Sequence, residues 1–297
     1  MNQTSKNSFS WSFSRYNLYK FCERAYFFYY YGSWNGWDTY APELTKDAFR
    51  LKHLISKKLW LNIILKKSLL NAINNKPYSN NTLAAEFKDQ TYKVLSSDIN
   101  SISLEEWEND PKKTCIDELY YKENSIEDVI KWIRHETTEK IKIFQESKLL
   151  CKLSNLPYPA FSNTSSPLSF TMNNIKVWCS PDLTWNYHGK INFLNLNNSN
   201  GWSFLAGLNM LYAEQCHKNH IPSNTVCHTV FFDKNGCYTV YGIRSPKEIS
   251  DIITDSSEEM RSRLTHNQKA YIENFCKTVK QKKCQTCRFK AICLKNP

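Results

Sequence analysis

The chemistry in this chain is most specifically signalled by four cysteines. Cys284, Cys287 and Cys293 follow a Cys-x2-Cys-x5-Cys spacing, and Cys22 stands alone about 260 residues earlier. Thiolates at short spacing are soft ligands for zinc or for iron–sulfur clusters. Three of them are one short of a closed tetrahedral or cubane site, and Cys22 completes the set for either a 4Fe–4S cluster or a structural zinc. Spacing alone does not choose between the two. Such a site would pin the C-terminal tail to the N-terminal helix, so metal binding would contribute directly to folding. Cys115, Cys151, Cys179, Cys216, Cys227, Cys237 and Cys276 show no ligand spacing and are expected as small apolar core residues.

The setting supports thiols over disulfides. Residues Met1 to Ser10 are polar and lack the basic start and apolar run of a secretory signal. No stretch approaches the roughly 18 apolar residues of a spanning helix. The expectation is a cytoplasmic protein with no membrane partner, in a compartment where clustered thiols hold metal.

Charge is the second signal. Lys and Arg total 39 against 28 Asp and Glu, a net of +11. From Arg261 to Pro297 there are ten basic residues and one acid, Glu273, so +9 of the net charge sits in the last 37 residues. That asymmetry suggests a polyanion such as DNA or RNA near the C-terminus. The phosphate-contact candidates are Lys277, Lys280, Lys282, Lys283, Arg288 and Lys290, with Arg15 and Arg24 from the first helix.

The elements that must position these groups can be read in outline. Ser12 and Ser14 are candidate caps for a helix over 15–31, which has no Gly or Pro to break it. A second helix is expected over 46–75, then an Asn-rich insertion or helical subdomain over 76–125, and a helix over 126–150. Strand signals follow at 168–172, 175–179 and 191–196, separated by Asn173-Asn174 and His188-Gly189 and read as a three-stranded meander. A helix over 202–217, strands at 225–232 and 237–243, and a long helix over 247–279 lead to a cysteine-rich basic tail, 276–297.

Ser12-Phe-Ser-Arg-Tyr16 leading into Cys22-Glu-Arg-Ala-Tyr-Phe-Phe-Tyr29 resembles the opening of RecB-like nucleases of the PD-(D/E)XK superfamily. In those enzymes a helix supplies the first cluster cysteine, and the terminal Cys-x2-Cys-x5-Cys resembles their last three ligands. The wrap-around layout is shared by the AddB nuclease domain and the iron–sulfur CRISPR-associated exonucleases. The resemblance spans nearly the whole chain. It implies a single α/β domain with a mixed central sheet flanked by helices, and a 4Fe–4S clasp on Cys22, Cys284, Cys287 and Cys293.

It also implies where catalytic groups should stand: an Asp, then an acid-x-Lys on the next strand, holding Mg²⁺ or Mn²⁺ and stabilising the charge of the transferring phosphate. The Asp maps to Asp182. The acid maps to Asn195 and the lysine to Asn197, both neutral amides. The upstream metal-ligating His falls at Lys66, which would repel a cation, and the orienting Gln falls at Leu205 or Leu208. His53 reads as structural. The pattern describes a degenerate nuclease that binds nucleic acid, single strands or duplex ends, or scaffolds a complex with a helicase or a defence subunit. Two rivals remain open. One is an active nuclease whose groups have migrated, with Lys190, Glu214 or Asp233 near Asp182. The other is a protein–protein adaptor that does not bind DNA.

Overall fold

The computed structural model describes residues 3–4, 9–75, 82–146, 161–162, 167–196, 201–216, 224–233, 236–240 and 244–295. Two short strands, β1 (Gln3–Thr4) and β2 (Ser10–Ser12), precede the first helix, Phe13–Phe21. Ser12 caps that helix, its hydroxyl accepting from the Arg15 amide at 3.2 Å. The expected single helix over 15–31 is broken at Cys22, whose backbone is extended (φ −167°, ψ 121°). The chain then resumes as helix Glu23–Phe27 and a π-helical turn, Phe28–Gly32. No Gly or Pro causes the break; it coincides with the seating of residues 275 and 276, whose carbonyls accept from the Arg24 side chain (2.8 Å) and amide (3.1 Å).

The expected helix over 46–75 is two helices, Glu43–Lys52 and Lys57–Asn74. Between them β3 (Leu54–Ile55) pairs in parallel with β4 (Cys115–Ile116), and Ser56 caps the second helix. Helices Leu83–Ser103 and Ile126–Gln145, capped by Thr82 and Ser125, join Lys57–Asn74 around Leu69, Phe87, Ile133 and Phe144. The segment 76–125 therefore contributes its long helix to a three-helix layer.

The strands that follow are β5 (Phe161–Ser162), β6 (Leu168–Met172), β7 (Ile175–Cys179), β8 (Leu183–Tyr187), β9 (Lys190–Leu196), β10 (Thr225–Asp233) and β11 (Gly236–Val240). They form a mixed α/β structure with two principal sheets. One has the order β11-β10-β9-β8-β5, with β9 and β10 parallel; the other is β2-β7-β6, with β2 and β7 parallel. The meander expectation is thus corrected. β6–β7 and β8–β9 are separate hairpins in separate sheets. Both hairpins turn on left-handed pairs, Asn173-Asn174 (φ 49° and 58°) and His188-Gly189 (φ 48° and 71°). Two consecutive positive φ values make a turn whose twist matches the strands it joins.

Helix Trp202–Cys216 crosses between β9 and β10. Along β9 successive side chains take opposite faces. Leu194 joins the three-helix layer, whereas Phe193 packs with Ala206 and Met210 of the crossover helix. Helix Pro246–Arg261 ends eighteen residues earlier than the expected 247–279. A Thr265–Gln268 turn, left-handed at Gln268, intervenes before β12 (Lys269–Ala270), which pairs with β1. The tail carries two short helices, Gln281–Gln285 and Lys290–Lys295. Its Phe275, Phe289 and Ile292 enter the core built by Trp11, Tyr26, Phe27 and Phe28. No helix among the described residues is long and apolar enough to cross a membrane.

Candidate functional site

Asp182 sits at the entrance to β8 and is 7% exposed. Its amide donates to the Leu194 carbonyl at 2.7 Å, and its carboxylate Oδ2 accepts from the Leu196 amide at 2.6 Å. The other carboxylate oxygen forms an ion pair with the Lys66 ammonium. Lys66 projects from helix Lys57–Asn74, which Trp60 fixes in place by donating to Asp98 at 2.9 Å. Lys66 is expected from the sequence as a charge that repels a metal cation, in place of a ligating His. It is instead the cation that neutralises Asp182.

Asn195 faces the opposite side of the sheet. It is 4% exposed, and its side-chain oxygen accepts from Asn209 at 2.7 Å. Asn209 in turn accepts from the Cys179 thiol at 3.0 Å, so the position expected for the second acid is locked into a buried neutral network. Burial pushes the Cys179 thiol well above its ordinary range, which keeps it a protonated donor. Asn209 was missed by sequence reasoning, which looked to Leu205 or Leu208 on the same helix. Leu208 is in the core at 1% exposure. The available signal was that Asn209 is the lone amide in the run Phe204 to Ala213. Asn197 lies outside the described residues.

The migrated-residue candidates stand on three different elements. Lys190 opens β9, paired with Tyr187. Four residues separate it from Leu194, about 13 Å of strand. Glu214 is exposed near the end of the crossover helix. Asp233 lies at the β10–β11 turn end, opposite Gly236.

The second constellation is built by the N-terminal helices and the C-terminal tail. Cys22, Cys284, Cys287 and Cys293 all line one pocket of about 90 Å³, walled by Phe21, Phe28 and Phe289. Cys22 reaches it from the break between the first two helices. Burial pushes the Cys287 thiol up to about 11, with the other three cysteines adding to the effect. Among the described residues, no group of three or more His, Cys, Asp or Glu side chains is arranged to hold a single metal ion as it stands. Of the cysteines expected in the core, Cys115, Cys179 and Cys227 are buried, whereas Cys216 and Cys276 are exposed, which corrects that expectation. Cys151 lies outside the described residues.

The basic candidates divide into two groups. Lys283 donates to the Lys20 and Phe21 carbonyls (3.1 and 2.8 Å), Arg288 to Lys52 (3.0 Å), and Lys290 pairs with Glu123 at 2.8 Å. Arg24 holds Phe275, and Arg15 donates to the Ser10 carbonyl and hydroxyl. These five bind the tail and the N-terminal segment to the body of the protein. Lys277, Lys280 and Lys282 are exposed and lie close together in sequence. Neither a model of a protein family, a curated protein nor a solved structure matches this chain.

Proposed function

We propose that this chain is a catalytically silent, RecB-like PD-(D/E)XK fold that holds a 4Fe–4S cluster on Cys22, Cys284, Cys287 and Cys293 and uses its basic surface to hold nucleic acid. The observation that carries the reading is the Lys66–Asp182 pair. A tethered ammonium takes the place that a divalent cation needs, and the second acid position is an amide committed to Asn209. A hard cation wants six or more oxygen ligands with carboxylates among them. Asp182 alone does not supply that.

Several features favour the superfamily. A helix carrying Lys66, an antiparallel hairpin entered at Asp182 and a helix after its second strand follow one another in the order that the resemblance implies. For the cofactor, four thiols line one pocket of about 90 Å³, which is the support for a polyatomic cluster. That space is several times the 10–15 Å³ or so that one water requires. When bound, the cluster would supply the positive charge that lets the thiols ionise. The residues around it, Arg24 and Lys283 among them, carry the tail onto the first helix whether or not the cluster has a redox role.

The test is a cleavage and binding assay with anaerobically purified protein on single-stranded and duplex DNA. With Mg²⁺ or Mn²⁺ no cleavage is expected, while binding at low salt weakens steeply as salt rises. Replacing Lys277, Lys280 and Lys282 by Gln should lower the salt slope by roughly two to three. Metal-dependent cleavage that disappears in Asp182→Ala would establish the active-nuclease alternative. Absence of DNA binding at any salt concentration would favour the adaptor.

A further inference from the structure

A pocket of about 290 Å³ lies between β2, the π-helical turn and the end of helix Glu43–Lys52, away from both constellations above. Its walls include Phe9, Tyr29, Tyr30 and Trp34, its cations are Arg15 and Lys52, and no Asp or Glu lines it. The π-helical geometry of Phe28–Gly32 brings three consecutive tyrosines, Tyr29 to Tyr31, to the same pocket. Such local widenings of a helix recur at functional sites.

Arg15 is held by Ser10 and by the Phe9 and Tyr30 rings. One terminal nitrogen donates to Ser10, and the guanidinium lies over the Tyr30 ring at 4.3 Å. Its second terminal nitrogen is not used by either Ser10 bond and is the atom that can meet a phosphate oxygen, the charge-assisted contact that arginine favours. Lys52 contacts the Phe49 ring at 4.7 Å and has no acidic partner among the described residues. Burial and the neighbouring Lys112 hold its ammonium below the ordinary lysine range, and an incoming anion would relieve both effects.

We infer that this pocket binds a nucleoside monophosphate unit, with its phosphate on Arg15 and Lys52 and its base against Tyr29 and Trp34. The unit could be a free nucleotide or the phosphorylated end of a single strand. The size supports one such unit, since it falls at the lower edge of the roughly 300–1,000 Å³ of small-molecule sites. Aromatic faces accept any base, and guanidinium–phosphate geometry supplies the charge recognition. The inference rests on the nucleic-acid reading above and assigns a place to one part of it.

The experiment compares a 3′-labelled oligothymidylate with and without a 5′-phosphate, a 5′-labelled strand with and without a 3′-phosphate, and dTMP alone followed through tryptophan fluorescence. A phosphorylated end should bind about tenfold more tightly than its hydroxyl counterpart, the value of one charge-assisted contact. Arg15→Lys and Lys52→Gln should each abolish that preference. Because Arg15 also anchors Ser10, Lys52→Gln, which leaves that anchor intact, keeps the test independent of folding. Binding of dTMP with no preference between strand ends would assign the pocket to free nucleotides. Salt-sensitive strand binding with no phosphate preference, no dTMP binding and no effect of either variant overturns the pocket and leaves the broader reading standing. Loss of all strand binding with dTMP still bound sinks the broader reading and keeps the pocket.

Discussion

The Lys66 ammonium makes Asp182 half of an ion pair between a helix and the start of a strand. The Asp182 side chain is 9% exposed and that of Lys66 is 45% exposed. Removing a partner from a fully buried pair costs about 3–5 kcal/mol, and exposed pairs are worth under about 1 kcal/mol. Lys66→Met should therefore destabilise the protein by about 2 kcal/mol in urea unfolding. Adding Asp182→Asn should recover part of the loss through pairwise coupling. An unchanged midpoint in Lys66→Met would show that the pair does not stabilise the fold. His53 makes the pH-dependent prediction at this scale. Its Nε2 is buried without a hydrogen-bond partner, and burial, then Lys52 and Lys112, hold the imidazole below its usual range near 6.5. A depressed folded value means that the unfolded chain takes up the proton first. The His53 contribution is then present above about pH 6.5 and is lost as pH falls through the folded value. His53→Gln should melt with a smaller drop in Tm between neutral and mildly acidic buffer than the parent. The sequence made Asp182, Asn195 and the cysteines legible because residue type and spacing carry their chemistry. It hid the role of Asn209 inside an apolar helix and the sign of Lys66, because both depend on which face of the sheet each element covers.

Two glycines separate backbone demand from packing demand in the elements around Asp182. Gly189 turns the β8–β9 hairpin at φ 71°, and a Cβ added there would meet nothing within 4 Å. The cost of Gly189→Ala is conformational, roughly 1 kcal/mol. Gly207 lies in the crossover helix, where a Cβ would stand 2.6 Å from the Arg244 carbonyl. Alanine gains about 1 kcal/mol of helix propensity, but overpacking against a backbone atom costs about 1–3 kcal/mol. Gly207→Ala should therefore be destabilising, and Gly207→Val more so, whereas at Gly189 valine exceeds alanine only through its own backbone preference. Chemical denaturation of the four variants checks this, and a stabilised Gly207→Ala would mean that the helix can move away from Arg244. The turn pairs Asn173-Asn174 and His188-Gly189 were readable because left-handed conformations select residue types. The breaks at Cys22 and at 53–56 were not, since no Gly or Pro marks them. They are imposed by partners distant in sequence, the 275–276 segment and β4. The pairing of β2 with β7 was equally hidden, because a three-residue strand carries too few residues to show a period.

At the scale of the whole molecule the basic tail holds two kinds of cation that composition cannot separate. Lys283, Arg288 and Lys290 face inward onto carbonyls and Glu123, with Arg24 meeting the tail from the first helix. Lys277, Lys280 and Lys282 face solvent. The net charge was legible in the sequence; its division was not, because that depends on what the tail lies against. Around the cysteine pocket, Phe275, Phe289 and Ile292 give the tail an apolar anchor in the core. The clasp is therefore expected to add to a docking that already exists, so that losing it loosens the tail and leaves the body folded. Cys284→Ser should lose most of its iron and its visible absorption, and limited proteolysis should release fragments cut within the tail. Cys276→Ser removes an exposed thiol of the same segment outside the pocket lining, and it should keep both the iron and the protease resistance. Zinc in place of iron in the parent would leave the clasp standing with a different metal, whereas full metal content in Cys284→Ser would remove the cysteines from the account of how the two ends of the chain are joined.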